Sequence, residues 1–493
     1  MNRHTWSYGS FGVIALVIML SCASSPRQAG TIPAQEPALS GEAPVPVVQA
    51  EKEIPFRDAL LARILDCLGA GDFDGALALF DEFPEEDAKT AEIRLLKTSV
   101  YVSAGRVSEG RDAANGVIAD EPQNPDAFYA LFMVEAAAGN KQAMRKAVDT
   151  ALKIDKDHLP SLNALGTIHA RNDSWALAVT QFDKVLAIDP ANLAALTGKA
   201  EVFRFQGLSA EAMPLANQAV ALHPDKMQGY VIRGQLLRGS GEMGPALADF
   251  VSAEQLAPRD YWVCYDKGRT LLSLGRPDEA FAAFERAITL DGTQFVAYIY
   301  SAGILADRGD YAKAEARYVE AVKRNPDYFY AYEGLGMLKM KNKEYAAARD
   351  AFLAAYAKAP SENGYAVLAA LNALRVQKLF EVKPFLESAM RLAKRDTLDY
   401  AILRMLNDFN GDANVARQID AEKDTFLKGK SAFYLAEFYD ICNKAALANA
   451  YYEKCRETGR RDTVEWRLNQ WKMEERDLLV QASPPAGKVS VEH

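Results

Sequence analysis

Apolar side chains recur three and four positions apart along most of this chain, the spacing that gathers them on one face of an α-helix. The pattern stops at regular intervals. The residues closing successive helical stretches are Pro122, Lys156, Pro190, Pro224, Pro258, Gly292, Pro326 and Pro360, each 34 residues after the last. Within 261–294 the pattern predicts a first helix from about Trp262 to Leu274, a turn at Gly275-Arg276-Pro277-Asp278 and a second helix from Glu279 to Leu290. Pro277 suits a helix start, because the N–H it lacks would have no partner there. Two short amphipathic helices cannot bury their apolar faces alone, so such units must stack on one another.

Small and aromatic residues fall on the same lattice. Position 20 of the unit is Ala76, Ala178, Ala212, Ala246, Ala280, Ala314 and Ala348. Position 24 is Phe80, Phe182, Phe250, Phe284, Tyr318 and Phe352. Position 8 is Gly166, Ala200, Gly234, Gly268, Ala302 and Gly336, and position 27 is Ala151, Ala219, Ala253, Ala287, Ala321 and Ala355. With these residues the chain resembles the tetratricopeptide repeat family. The resemblance implies an all-α fold, a right-handed superhelical solenoid of helix–turn–helix repeats. Nine repeats fit residues 57–362. Residues 363–481 carry degenerate helical repeats and a capping helix with Trp466 and Trp471, and loss of the small-residue positions predicts a weaker joint at 363–428. Pro384 is placed to open the second helix of 363–396.

The two ends have a different composition. Phe11 to Leu20 is an apolar run of ten residues ending at Ser21-Cys22. It is too short to span a bilayer alone, and it resembles a bacterial lipoprotein signal over residues 1–21. That resemblance implies cleavage before Cys22 and acylation of its thiol. An uncleaved anchor and a non-lipid secretory signal are the other readings. Residues 22–56 would then be the acylated cysteine and a Pro- and Ala-rich leash, with six prolines and no apolar period. Residues 482–493 read as a disordered tail.

Charge and chemistry narrow the function. The chain has 57 Lys and Arg against 66 Asp and Glu, net −9. An acidic balance argues against nucleic acid as a partner, since phosphate binding needs a basic footprint. Gly239-Ser-Gly-Glu-Met-Gly244 has the letters of a dinucleotide loop but falls on a predicted inter-helix turn, without the strand that motif needs. Gly429-Lys430-Ser431 ends like a phosphate loop, yet Asp424 stands where its first glycine belongs. His169 falls on a core position, and His158 and His223 on turns expected to be solvated. Cys67, Cys264 and Cys455 occupy core positions. Cys442 and Cys455 are separated by several turns of helix at about 1.5 Å per residue, too far to bridge. No nucleophile–base pair or metal set emerges, so the expectation is no enzyme, no cofactor and no metal.

In the family, first helices line a concave groove, and positions 2, 5, 9 and 12 face it. The resemblance therefore places Asn163, Thr197, Glu201, Arg204, Gln235, Arg238, Trp262, Tyr265 and Arg269 as groove residues, followed by Tyr330 and Glu333. A column of Arg204, Arg238 and Arg269 beside Trp262 and Tyr265 would suit a peptide carrying a carboxylate. The expected function is a non-catalytic, membrane-tethered scaffold. It would bind protein partners through this groove in a cell-envelope complex. It would be lipid-anchored at the outer membrane or the periplasmic face of the inner membrane. The alternative is a lipoprotein module closing around a hydrophobic small molecule for a transporter.

Overall fold

The computed structural model describes residues 56–482, and every regular element among them is a helix. The proposed signal, Cys22, nearly all of the leash and the tail lie outside the described residues. Helices pair as hairpins of the expected size. Tyr261–Ser273 pairs with Pro277–Leu290, so Pro277 occupies the first helical position, two residues before the expected start.

Backbone conformation at the hairpin turns carries the repeat further than side-chain pattern does. Gly71, Gly105, Gly139, Asp173, Gly207, Gly241, Gly275, Gly309, Lys343, Gln377 and Gly411 all have positive φ, and all are 34 residues apart. Each lets the chain leave one helix and re-enter the next with a left-handed residue, which glycine does without a Cβ clash. The lattice therefore continues through 363–430, where side chains had lost it, and the next such turn, Asn443, comes two residues early.

Packing explains the small residues. The seven position-20 alanines and the six position-27 alanines are all 0% exposed. An added Cβ on Gly166 would stand 2.8 Å from the Phe182 ring, and one on Gly198 of the next repeat 2.6 Å from it. Phe182 is thus held between two glycines. Gly268 and Gly336 make the same room for Phe284 and Phe352. Where the small residue is missing the volume is exchanged. In 125–158 position 8 is Phe132 and position 24 is Val148, and both are buried in one cluster.

Two compact units divide at Gly241 and Glu242. In the first, first helices of successive repeats touch one another, while second helices touch the next first helix. This places the first helices on the inside of the stack. Polar ties reach from second helices to the turn one repeat earlier. Gln218 donates to Pro190 O at 3.2 Å and His223 sits 2.5 Å from Ala191 O. His158 is only 9% exposed and lies between Ser161 Oγ at 2.8 Å and Asp126 Oδ1 at 3.0 Å. Neither histidine is the solvated turn residue expected, because both complete inter-repeat hydrogen bonds.

The second unit repeats this scheme. Arg286 donates to Pro258 O at 2.7 Å, and Arg317 meets Glu285 at 2.5 Å. Its largest core cluster runs from Met337 to Leu468 and includes eight residues of the helix Asn363–Arg375. The expected weak joint is therefore closely packed. Ala370 and Ala389 keep the small residues of positions 8 and 27, while Val382 and Leu386 take positions 20 and 24, and all four are 0% exposed. Pro384 lies inside Leu379–Leu392 rather than at its start. The phosphate-loop-like stretch at Gly429 is interior to the helix Thr425–Ile441 and forms no loop.

Candidate functional site

All nine expected groove residues lie on first helices and are half-buried. In the first unit, however, many of their polar groups are already committed. The Thr197 hydroxyl donates to Leu193 O of its own helix at 2.8 Å. Asn163 Nδ2 donates at 3.0 Å to Asn192 Oδ1, which also caps the next first helix by accepting from Ala195 N at 3.2 Å. The Oδ1 of Asn163 is buried without a protein partner, as is the Oε1 of Gln228. Glu201 pairs with Arg204 at 3.6 Å and keeps 32% of its side chain accessible. Burial pushes its carboxyl up from the usual range, and Arg204 and Arg171 pull it partly back. The Arg204 guanidinium lies 4.2 Å from the Phe205 ring centre. Arg204 is thus held by a carboxylate and a ring, not presented freely. Gln235 and Arg238 lie on the helix Met227–Gly239.

The second unit holds Trp262, Tyr265 and Arg269 on the helix Tyr261–Ser273. Tyr261 and Trp262 meet edge to face at 5.0 Å, and Trp262 meets Tyr265 in the same manner at 5.6 Å. Tyr300, from the next first helix, stacks on Phe284 at 5.1 Å and lies 5.7 Å from Tyr265. The Arg269 guanidinium is set between them, 5.6 Å from the Tyr265 ring and 5.9 Å from Tyr300. Such a cation over two ring faces is attracted by their quadrupoles and fixed in direction. The cluster continues as Phe295, Tyr328, Phe329 and Tyr330, with ring centres 4.1–5.5 Å apart for the neighbouring pairs. Tyr300 and Tyr328 are at positions 6 and 34 and escaped the groove rule. A count of aromatics over 261–330 would have flagged them.

Glu333 closes this face. Its carboxylate accepts from the Tyr365 hydroxyl at 2.5 Å. Burial raises it to about 7; Glu465 and Glu362 add to the rise, while the Tyr365 hydroxyl and Arg467 oppose it.

The four described cysteines are free thiols. Cys264 and Cys455 are buried as expected, with burial pushing the thiols up to about 11 and about 12. Cys67 and Cys442 are only half-buried. Among the described residues no group of three His, Cys, Asp or Glu side chains is gathered that could hold a metal. No helix of the described residues is long and apolar enough to cross a membrane.

Tetratricopeptide repeat family models match residues 163–226, 263–294 and 302–363. The chain therefore contains tetratricopeptide repeats, and its fold is the all-α solenoid built from them. Mouse protein O-mannosyl-transferase TMTC1 is 29% identical over 157 residues, covering 31% of this chain and 17% of that protein. Cellulose synthase operon protein C of Xanthomonas axonopodis pv. citri is 26% identical over 271 residues, covering 36% of this chain and 12% of that protein. The chain thus spans less than a quarter of the length of these curated relatives. The solved structure of Pseudomonas aeruginosa pilF is 20% identical, covers 42% of this chain and 94% of that one, and superposes with a TM-score of 0.39.

Proposed function

We propose that this protein is a non-catalytic scaffold that binds protein partners through the first-helix faces of its repeats, held at a bacterial envelope membrane by lipid on Cys22. The observation that carries the binding half is the cluster of Trp262, Tyr265, Tyr300 and Arg269. Half-buried aromatic and arginine side chains on a rigid helical layer are the residue types that dominate binding energy. Their ring stacking pre-organises them, which cuts the entropy lost on association. Arg269 supplies one cationic group amid apolar rings, so a peptide carrying a carboxylate next to an apolar side chain fits it. The face around Glu201 in the first unit is more polar and suits a hydrogen-bonding partner.

Covalent cross-linking in the source cells followed by affinity capture tests this. Trp262→Ala with Arg269→Ala should lose the partner of the second unit, and Arg204→Ala with Arg238→Ala that of the first. Both pairs should stay folded at the assay temperature, which melting checks; the first pair should melt lower, because Trp262 packs on the core of its unit. Capture that survives both pairs of substitutions refutes the binding faces. For the tether, fatty-acid labelling should mark the wild type and spare Cys22→Ser; equal labelling of both refutes the lipid site.

A further inference from the structure

The helix Val464–Ala482 uses two faces for two purposes. One face lies on the hairpin just before it. Asn469 Nδ2 donates to Tyr452 O at 3.1 Å, Glu465 accepts from the Tyr434 hydroxyl, and Lys472 and Arg476 meet Asp440 at 3.5 and 2.5 Å. That is what a capping helix requires in a repeat stack.

The other face carries Arg467, Trp471 and Glu475, at i, i+4 and i+8, which align on one stripe of a helix. Arg467 pairs with Asp307 at 2.9 Å. Trp471 meets Tyr311 edge to face at 5.7 Å, and Lys341 Nζ lies 5.8 Å from its ring. Glu475 pairs with Lys343. Asp307 and Lys341 end the first helices Val296–Asp307 and Phe329–Lys341, Tyr311 opens the second helix Tyr311–Arg324, and Lys343 stands at the turn after Lys341. These partners belong to repeats 295–328 and 329–362, far back along the chain. Capping the last hairpin does not call for them.

The joint is also incompletely satisfied. Trp466 Nε1 and Gln470 Nε2, one residue before Arg467 and Trp471, are buried without a protein partner. Buried polar groups left in that state weaken a contact. Trp471, partly buried, packs against apolar residues between two ion pairs at either end of the far face, and such pairs are individually weak where solvent reaches them.

We infer that the Arg467–Trp471–Glu475 face is a releasable clasp. It occupies in cis a surface on repeats 295–362 that takes, in trans, an amphipathic helix with a cation, an aromatic ring and a carboxylate at i, i+4 and i+8. The surface sets the direction of that helix. Asp307 receives the cation, Tyr311 and Lys341 the ring, and Lys343 the carboxylate. The inference rests on the reading of the first-helix layer as a binding face, and it adds that part of that layer is covered until the terminal helix lets go.

The probe is a fluorescent peptide of residues 460–482. The full chain carrying Arg467→Ala and Trp471→Ala keeps the receiving surface intact and loosens the clasp. It should bind the peptide at least tenfold more tightly than the wild-type chain, since an occupied site lowers apparent affinity by the fraction that is open. The same peptide with Trp471→Ala should bind neither chain. Equal binding of the peptide to both chains overturns the clasp. No binding to the loosened chain overturns the receiving surface as well. Hydrogen exchange on the wild-type chain needs no variant. Amides of 464–476 should exchange through a local opening while those of 445–457 remain protected. Exchange of both segments at one rate makes the helix a fixed cap and overturns the inference.

Discussion

Arg375 ties two distant helices through a buried charge pair. It ends the helix Asn363–Arg375 and is 13% exposed. Its Nη2 donates to Glu437 Oε2 at 2.6 Å and to Asp440 Oδ2 at 2.9 Å, 62 and 65 residues away. It therefore ties one repeat to the helix Thr425–Ile441, past the intervening hairpin. The two acids differ in what they keep when the arginine goes. Asp440 retains Lys472 and Arg476. Glu437 is 0% exposed and retains only the Tyr452 hydroxyl, which donates to its other oxygen at 2.5 Å. Arg375→Met keeps the apolar stem but loses the guanidinium, 5.1 Å from the Tyr345 ring centre, and leaves the Glu437 charge without its cation. Breaking a buried pair by removing one partner costs roughly 3–5 kcal/mol, and the tyrosine hydrogen bond places the expected loss near the lower end, about 3 kcal/mol. Urea unfolding followed by fluorescence of Trp466 and Trp471 reads this end of the second unit. Adding Glu437→Gln removes the stranded charge but keeps an acceptor for Tyr452, so the double variant should recover about 1–2 kcal/mol of the loss. A single-variant loss below about 1 kcal/mol, or a double variant less stable than the single, refutes the reasoning.

Two further expectations read other parts of the same unit. Gly336→Ala places a Cβ 2.7 Å from the Phe352 ring and should destabilise by about 1–2 kcal/mol, overpacking of ~1–3 less some helix propensity. Gly303→Ala, with nothing within 4 Å, should stabilise by up to about 1 kcal/mol, so similar melting shifts for both would show that the aromatic contact is not the constraint. Glu333 has its proton held up to about 7 by burial, against 4.5 for an ordinary glutamate. The folded state then binds the extra proton between those values, so its contribution is complete below pH 4.5 and is lost as pH rises through about 7. At about 1.4 kcal/mol per pKa unit the loss is at most roughly 3 kcal/mol, and Glu333→Gln should flatten that stretch of the stability–pH curve. An unchanged slope in the variant refutes the assignment.

The repeat was legible because each unit's contacts are mostly with itself and its neighbour. An alanine at position 20 that must admit a helix backbone, or a glycine that must admit Phe182, leaves a mark in every unit, and marks that recur every 34 residues can be read without a structure. The same reasoning located the half-buried residues of the first helices. It did not show which were already engaged. Arg204 looks free on a helical wheel, but it is held by Glu201 and Phe205 through contacts set by side-chain rotamers. Side-chain pattern was harder to read over 363–428, where Val382 and Leu386 stand for the usual alanine and aromatic and Arg404 for a small residue, although Ala370 and Ala389 keep their places. The left-handed turn residues Gln377 and Gly411 preserved the lattice there; Gly411 continues the glycines of the earlier turns in the sequence, whereas only its φ angle shows Gln377. The clasp was invisible for a different reason. Arg467, Trp471 and Glu475 lie on a readable stripe, yet Asp307, Tyr311 and Lys343 meet that stripe only after several intervening repeats have each turned the stack by a small angle. A local pattern encodes the angle between neighbours poorly, and the sum of such angles not at all. Sequence alone therefore determined the repeat unit and the small and aromatic residues at its contacts with the next, and only the tertiary structure decided which distant repeats the last helix holds.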